Sequence, residues 1–169
     1  RFMRPELPQP IVGAQETFFV PARETTEYPG IEPYSKESFE RLRIGWDSFY
    51  ERASRASATV LDAIEPKFVQ GEDGAIKYAS IYLERPIASG LITAPNFPEK
   101  FASTLGDRLV VFIPDRHNLF IFADDPEIYG QYTIPMAARF DDATHAASRE
   151  LFLWQANATR PEIIGSYAP

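Results

Sequence analysis

LVVFIPDRHNLFIF, residues 109 to 122, is the stretch on which the fold reading turns. Both halves are runs of β-branched and aromatic residues, the side chains that fit a pleated surface. Pro114-Asp115-Arg116-His117-Asn118 between them has turn chemistry: proline fixes φ, and Asp or Asn can bond to nearby main-chain amides. The pattern predicts a β-hairpin. Its tip gathers a proline, an acid, a base and an imidazole, so it is also the first place to look for chemistry.

Upstream, Lys67 to Leu83 places Gly71-Glu72-Asp73-Gly74 between two segments rich in β-formers, which predicts a second hairpin. Between the hairpins, Asn96-Phe97-Pro98-Glu99 opens a short helix with Phe97, Phe101 and Leu105 on one face and Gly106 as its stop. Downstream, Asp125 or Asp124 can cap a helical turn with Pro126 at its start, and Pro135 to about Ala147 predicts a further helix. Leu151-Phe152-Leu153-Trp154 is apolar without a period, and a short strand over Ser148 to Trp154 is expected.

Ser35 suits an N-cap, and Phe39, Leu42, Trp46, Phe49, Tyr50 and Ala53 recur at three- and four-residue steps. One long amphipathic helix from 35 to 62 is predicted. Residues 1 to 34 hold Pro5, Pro8, Pro10, Pro21, Pro29 and Pro33, each of which fixes φ and disfavours helix just before it. The division expected is a proline-rich extended arm over 1–34, partly packed on the body, a single α+β domain over 35–157, and a C-terminal tail over 158–169. That domain should be two-layered, a largely antiparallel sheet with helices packed on one face.

Composition narrows the function classes. The chain has 169 residues, of which 44% are hydrophobic, and 13 Phe, 8 Tyr and 2 Trp can fill a sizeable core. A net charge of -7 argues against a nucleic-acid partner, whose phosphates the average field would repel. With no cysteine there are no disulfides, thiolate metal sites or cysteine nucleophiles. Neither cofactor nor metal is expected. No run is long and apolar enough to span a bilayer, so a soluble protein is expected, in the cytoplasm by default, with secretion left open because the N-terminus could be trimmed.

Candidate chemistry is sparse. His117 would need a carboxylate, Asp115 or one from another element, to serve as a general acid or base. His145 follows Asp141 and Asp142 by four and three residues, a helical spacing that can set Asp142 beside the imidazole. No GxSxG, Walker A or GxGxxG motif occurs. Arg116, Trp46 and Tyr50 are candidates for ligand contact, the last two as part of a groove, although an aromatic stripe of this kind usually serves packing.

Ala88-Ser89-Gly90-Leu91-Ile92-Thr93-Ala94-Pro95, the short helix after it, the Pro114-Asp115-Arg116 turn between two strands and the serine-led Ser148 to Trp154 segment resemble the YtpQ-like family of bacterial proteins. The similarity spans about residues 85 to 155. It implies an α+β domain and brings no activity or catalytic residue with it. The expected function is a non-catalytic binding or protein-interaction domain, acting on a protein or small molecule. The alternative is a small acid/base hydrolase built on a His-carboxylate pair, and an assembly subunit is a third possibility.

Overall fold

The computed structural model describes residues 5–28 and 30–167. In the arm, β1 (Gln9–Pro10) pairs with β2 (Phe18–Phe19), and β3 (Ala22–Glu24) pairs with β4 (Ile31–Pro33), both antiparallel. Two helices follow, α1 (Lys36–Glu40) and α2 (Trp46–Asp62). Ser35 caps α1 as expected, its Oγ accepting from the Ser38 amide at 3.1 Å. The single 35-to-62 helix is corrected to two pieces. Arg43 takes a left-handed φ of 54° and Gly45 begins α2, which folds the stripe back so that the Phe39 ring lies 5.3 Å from Phe49 and 6.1 Å from Tyr34. Aromatic packing outweighs the helical period here.

The body is a six-stranded antiparallel sheet. Its strands are β5 (Lys67–Gln70), β6 (Ile76–Tyr82), β7 (Arg108–Phe112), β8 (Asn118–Ala123), β9 (Glu150–Gln155) and β10 (Glu162–Ser166), in the spatial order β10-β9-β7-β8-β6-β5. Both predicted hairpins form, and the 109-to-122 hairpin sits at the centre with Val111 opposite Ile121 and Phe112 opposite Phe120. A 3-10 helix (Ala88–Thr93) and α3 (Phe97–Leu105) connect β6 to β7, while α4 (Pro126–Gly130) and α5 (Thr133–Asp141) connect β8 to β9.

The α+β class and the antiparallel sheet match the sequence reading, but the layering differs. On one face Leu109, Val111, Ile113, Leu119, Ile121 and Trp154 pack against Leu61 of α2, Leu91 and Ile92 of the 3-10 helix, and Phe97, Phe101 and Leu105 of α3. On the other, Val110, Phe112, Phe120, Phe122, Leu151 and Leu153 are covered by Met136 of α5 and Tyr167, with Ile128, Tyr129, Tyr132 and Phe140 around them. Helices therefore lie on both faces. The reason is the unbroken apolar composition of β7, β8 and β9, which leaves no polar face for water.

The expected tail from residue 158 is also corrected, because residues 162–166 are an edge strand paired with β9. Pro161 at its entry, Gly165 within it and a bulge between Ile163 and Gly165 erase the strand signature from the sequence. The 135-to-147 helix is instead α5, which ends at Asp141; the following loop returns to the central hairpin, with Ala147 N–H donating to the Pro114 carbonyl at 2.9 Å. Among the described residues no helix is long and apolar enough to cross a membrane.

Trp154 is the largest fully buried side chain and its Nε1–H donates to the Ile92 carbonyl at 2.7 Å, tying β9 to the 3-10 helix. Trp154→Ala is expected to cost about 3–5 kcal/mol in chemical denaturation. Trp154→Phe, which keeps most of the volume but orphans a buried carbonyl, should cost about 1–3 kcal/mol.

Candidate functional site

At the tip of the central hairpin the charged residues serve the turn. The Asp115 carboxylate accepts from the amides of His117 (2.7 Å) and Asn118 (2.9 Å) and from Asn118 Nδ2 (2.9 Å). These bonds close an Asx-type turn and leave the carboxylate turned towards main chain rather than towards the imidazole. His117 Nδ1 lies 2.9 Å from the Leu83 carbonyl, which can only accept, so Nδ1 carries the proton. The His117 ring stacks on Tyr82 at 6.3 Å. Arg116 contributes its carbonyl to the Ala88 amide, and its Nη1 is buried with no hydrogen-bond partner among the described residues.

His145 lies beside the same end of the sheet, since Asp115 and Ala146 form an isolated bridge. Its Nε2 bonds to the Tyr28 hydroxyl at 2.7 Å, reaching across to the arm. Asp142 caps the C-terminus of α5 and is exposed, while Asp141 pairs with Arg149. The structure thus brings each imidazole to a neutral oxygen. Among the described residues no three His, Asp or Glu side chains converge as metal ligands would.

Trp46 and Tyr50 belong to a continuous aromatic cluster with Phe19, Phe49, Phe39 and Tyr34. The Arg160 guanidinium lies 4.2 Å above the Tyr50 ring and donates to Asp47 at 2.9 Å. Burial raises the Tyr50 pKa, with the Arg160 charge opposing it. Trp46 lines a hollow of about 90 Å³ with Pro10, Phe19, Arg160 and Pro161. This hollow has room for only a few atoms, and the cluster fastens the arm and the β9–β10 connection to α2.

The larger concavity, about 340 Å³, lies at the outer edge of β10. Gly13, Gln15 and Glu16 of the arm form one wall, and Arg149 and Ile163 to Ser166 form the other. Its geometry follows from one buried carboxylate. Glu150, 5% exposed, begins β9 and accepts from the main-chain amides of Gln15 (2.7 Å), Glu16 (3.4 Å) and Thr17 (2.8 Å). Ser148 Oγ, 2.6 Å from Thr17 Oγ1, accepts from the Glu150 amide at 2.9 Å and completes the clasp. Three successive N–H groups form a nest for the anion. Burial by itself raises the Glu150 pKa, but the Thr17 hydroxyl and the three amides outweigh it and hold the carboxyl below its ordinary 4.5.

Just before the nest, the Ile163 amide donates to the Val12 carbonyl at 2.8 Å, so the arm covers the first half of the β10 edge. It turns away at Gly13, where φ is 82° and a Cβ would stand 2.2 Å from the Ile163 carbonyl oxygen; only glycine fits. Beyond that turn no described residue pairs with the edge. The Tyr167 amide points inward to the Arg149 carbonyl at 2.8 Å, so by strand alternation the N–H and C=O of Ser166 point outward. No other segment of the described chain pairs with them.

Sequence reasoning did not reach Glu150, Ser148, Thr17 or Gly13. One signal was present: a glutamate heading the apolar run Leu151 to Trp154 invites the question of what neutralises it on burial. Its partners are main-chain amides more than 130 positions away, which carry no side-chain signature. No protein-family model, curated protein or solved structure matches this chain.

Because the folded pKa of Glu150 lies below its ordinary value, its contribution to stability is full above about pH 4.5 and is lost as pH falls through the depressed value. Protection factors of the Gln15 and Thr17 amides, corrected for the intrinsic slowing of exchange in acid, should therefore fall on acidification before those of the core strands. Glu150→Gln places an NH2 against the donor nest, and should cost about 1.5–3 kcal/mol at neutral pH. The same variant should lose this acid-dependent component, a point that paired denaturation curves at several pH values would check.

Proposed function

We propose that the chain is a non-catalytic protein-interaction domain whose recognition surface is the cleft between the arm and the bare end of β10. The observation that carries this reading is the outward-facing N–H and C=O of Ser166 within a cleft of about 340 Å³. An open strand edge inside a concavity offers both the main-chain bonds and the walls used in strand-addition recognition. The exposed Ile164 adjoins it. Membership of the YtpQ-like family and a cytoplasmic setting belong to the same reading. An acidic chain of net charge -7 is suited to protein rather than nucleic-acid partners.

The rival hydrolase requires an imidazole oriented by a carboxylate. Here His117 contacts the Leu83 carbonyl and His145 the Tyr28 hydroxyl, so the side-chain geometry favours the binding reading.

Selection of binders from a random twelve-residue peptide display library, followed by amide chemical-shift mapping, tests the proposal. The expected result is that enriched peptides shift the resonances of Ile163 to Ser166 and of Gln15 and Glu16. Binders that map only to the helical faces would overturn the assignment. Turnover of a panel of simple esters that is abolished by His117→Ala or His145→Ala would restore the hydrolase.

A further inference from the structure

We infer that the partner of the β10 cleft is an extended, cationic polypeptide segment that adds as a strand alongside Ile164 to Tyr167; this rests on the interaction reading above. The backbone dictates the extended form. Ser166 presents a donor and an acceptor side by side, and one residue of an added antiparallel strand satisfies the two together. The arm already demonstrates the compatibility of this edge, since the Val12 carbonyl takes the Ile163 amide before the arm leaves at Gly13. An incoming segment takes up the line that the arm abandons.

The sheet face at Gly165 is uncovered. A Cβ built there meets no atom within 4 Å, so side chains of an added strand have room above that face. Charge sets the composition of the segment. Of the ionisable groups on the cleft walls, Glu150 is enclosed by three arm amides and Arg149 is paired with Asp141. Glu16, which is exposed, remains as the charge that an arriving side chain meets. A lysine or arginine directed at the arm wall reaches it, and the overall charge of -7 draws such a segment in from a distance.

The test uses the peptides enriched in the library selection, synthesised with a fluorescent label and titrated by anisotropy. The binders are expected to carry Lys or Arg beside a proline-free core of β-formers. Replacing that basic residue with Glu should weaken binding about tenfold or more. Ser166→Pro removes the outward N–H while respecting an edge position, and should abolish binding with the melting temperature preserved. Glu16→Lys leaves intact the amides that Glu150 holds, so it serves even if Ser166→Pro fails to fold; it should weaken cationic peptides about tenfold and favour the Glu-substituted ones. Binders that map to the cleft but are neutral, acidic or helical, or that bind folded Ser166→Pro equally well, would overturn this inference while leaving the interaction reading in place. If no enriched peptide perturbs the β10 amides, both fall.

Discussion

Everything in this fold follows from strands that have no side to give to water. Leu109 to Ile113 and Leu119 to Phe122 are buried on both faces, so the central hairpin is stable only when each face is roofed. The two connections that flank it do the roofing. The β6-to-β7 connection supplies the 3-10 helix and α3 on one side, while the β8-to-β9 connection supplies α4 and α5 on the other. The long helix α2 completes the first roof through Leu61. A sheet with one wet face would have required neither the Tyr132 ring, 5.1 Å from Tyr78, nor the Tyr167 hydroxyl, which donates to the Tyr129 carbonyl at 2.6 Å.

Local pattern was a good guide wherever local physics decides. The two hairpins, the Ser35 cap, α3 with its Gly106 stop and the Asp125 cap of α4 all stand where turn and capping residues announce them. The misses share a tertiary cause. Arg43 breaks a regular amphipathic helix because Phe39 packs against Tyr34 and Phe49, rings that the period cannot bring together. Residues 162–166 form a strand because β9 offers an edge, despite Pro161 and Gly165. The second roof was in principle legible, since an unbroken run such as Leu119 to Phe122 already argues for burial on both faces.

The candidate site was less visible for a different reason. Sequence reading ranks residues by side-chain chemistry, and it was drawn to Asp115, Arg116 and His117. In the fold these residues turn a corner, with Asp115 bonding to main-chain amides. The cleft is built instead from backbone: three amides around Glu150, a carbonyl close to Gly13, and the outward groups of Ser166. Main-chain donors and acceptors are the same at every residue, so their use leaves almost no trace in composition. Glu150 is the exception, because a carboxylate needs compensation when buried.

The pairing of Val12 with Ile163 joins two segments about 150 positions apart in sequence. During synthesis the arm emerges before the carboxylate that clasps it and the strand it covers, both of which follow more than 130 positions later. At ribosomal speeds of about 5–20 residues per second, the arm waits roughly 7–30 seconds for its partners. Through that interval its prolines are an advantage, since they oppose premature helix or sheet. Docking of the arm through Glu150 and Ile163 therefore requires β9 and β10 to be in place first.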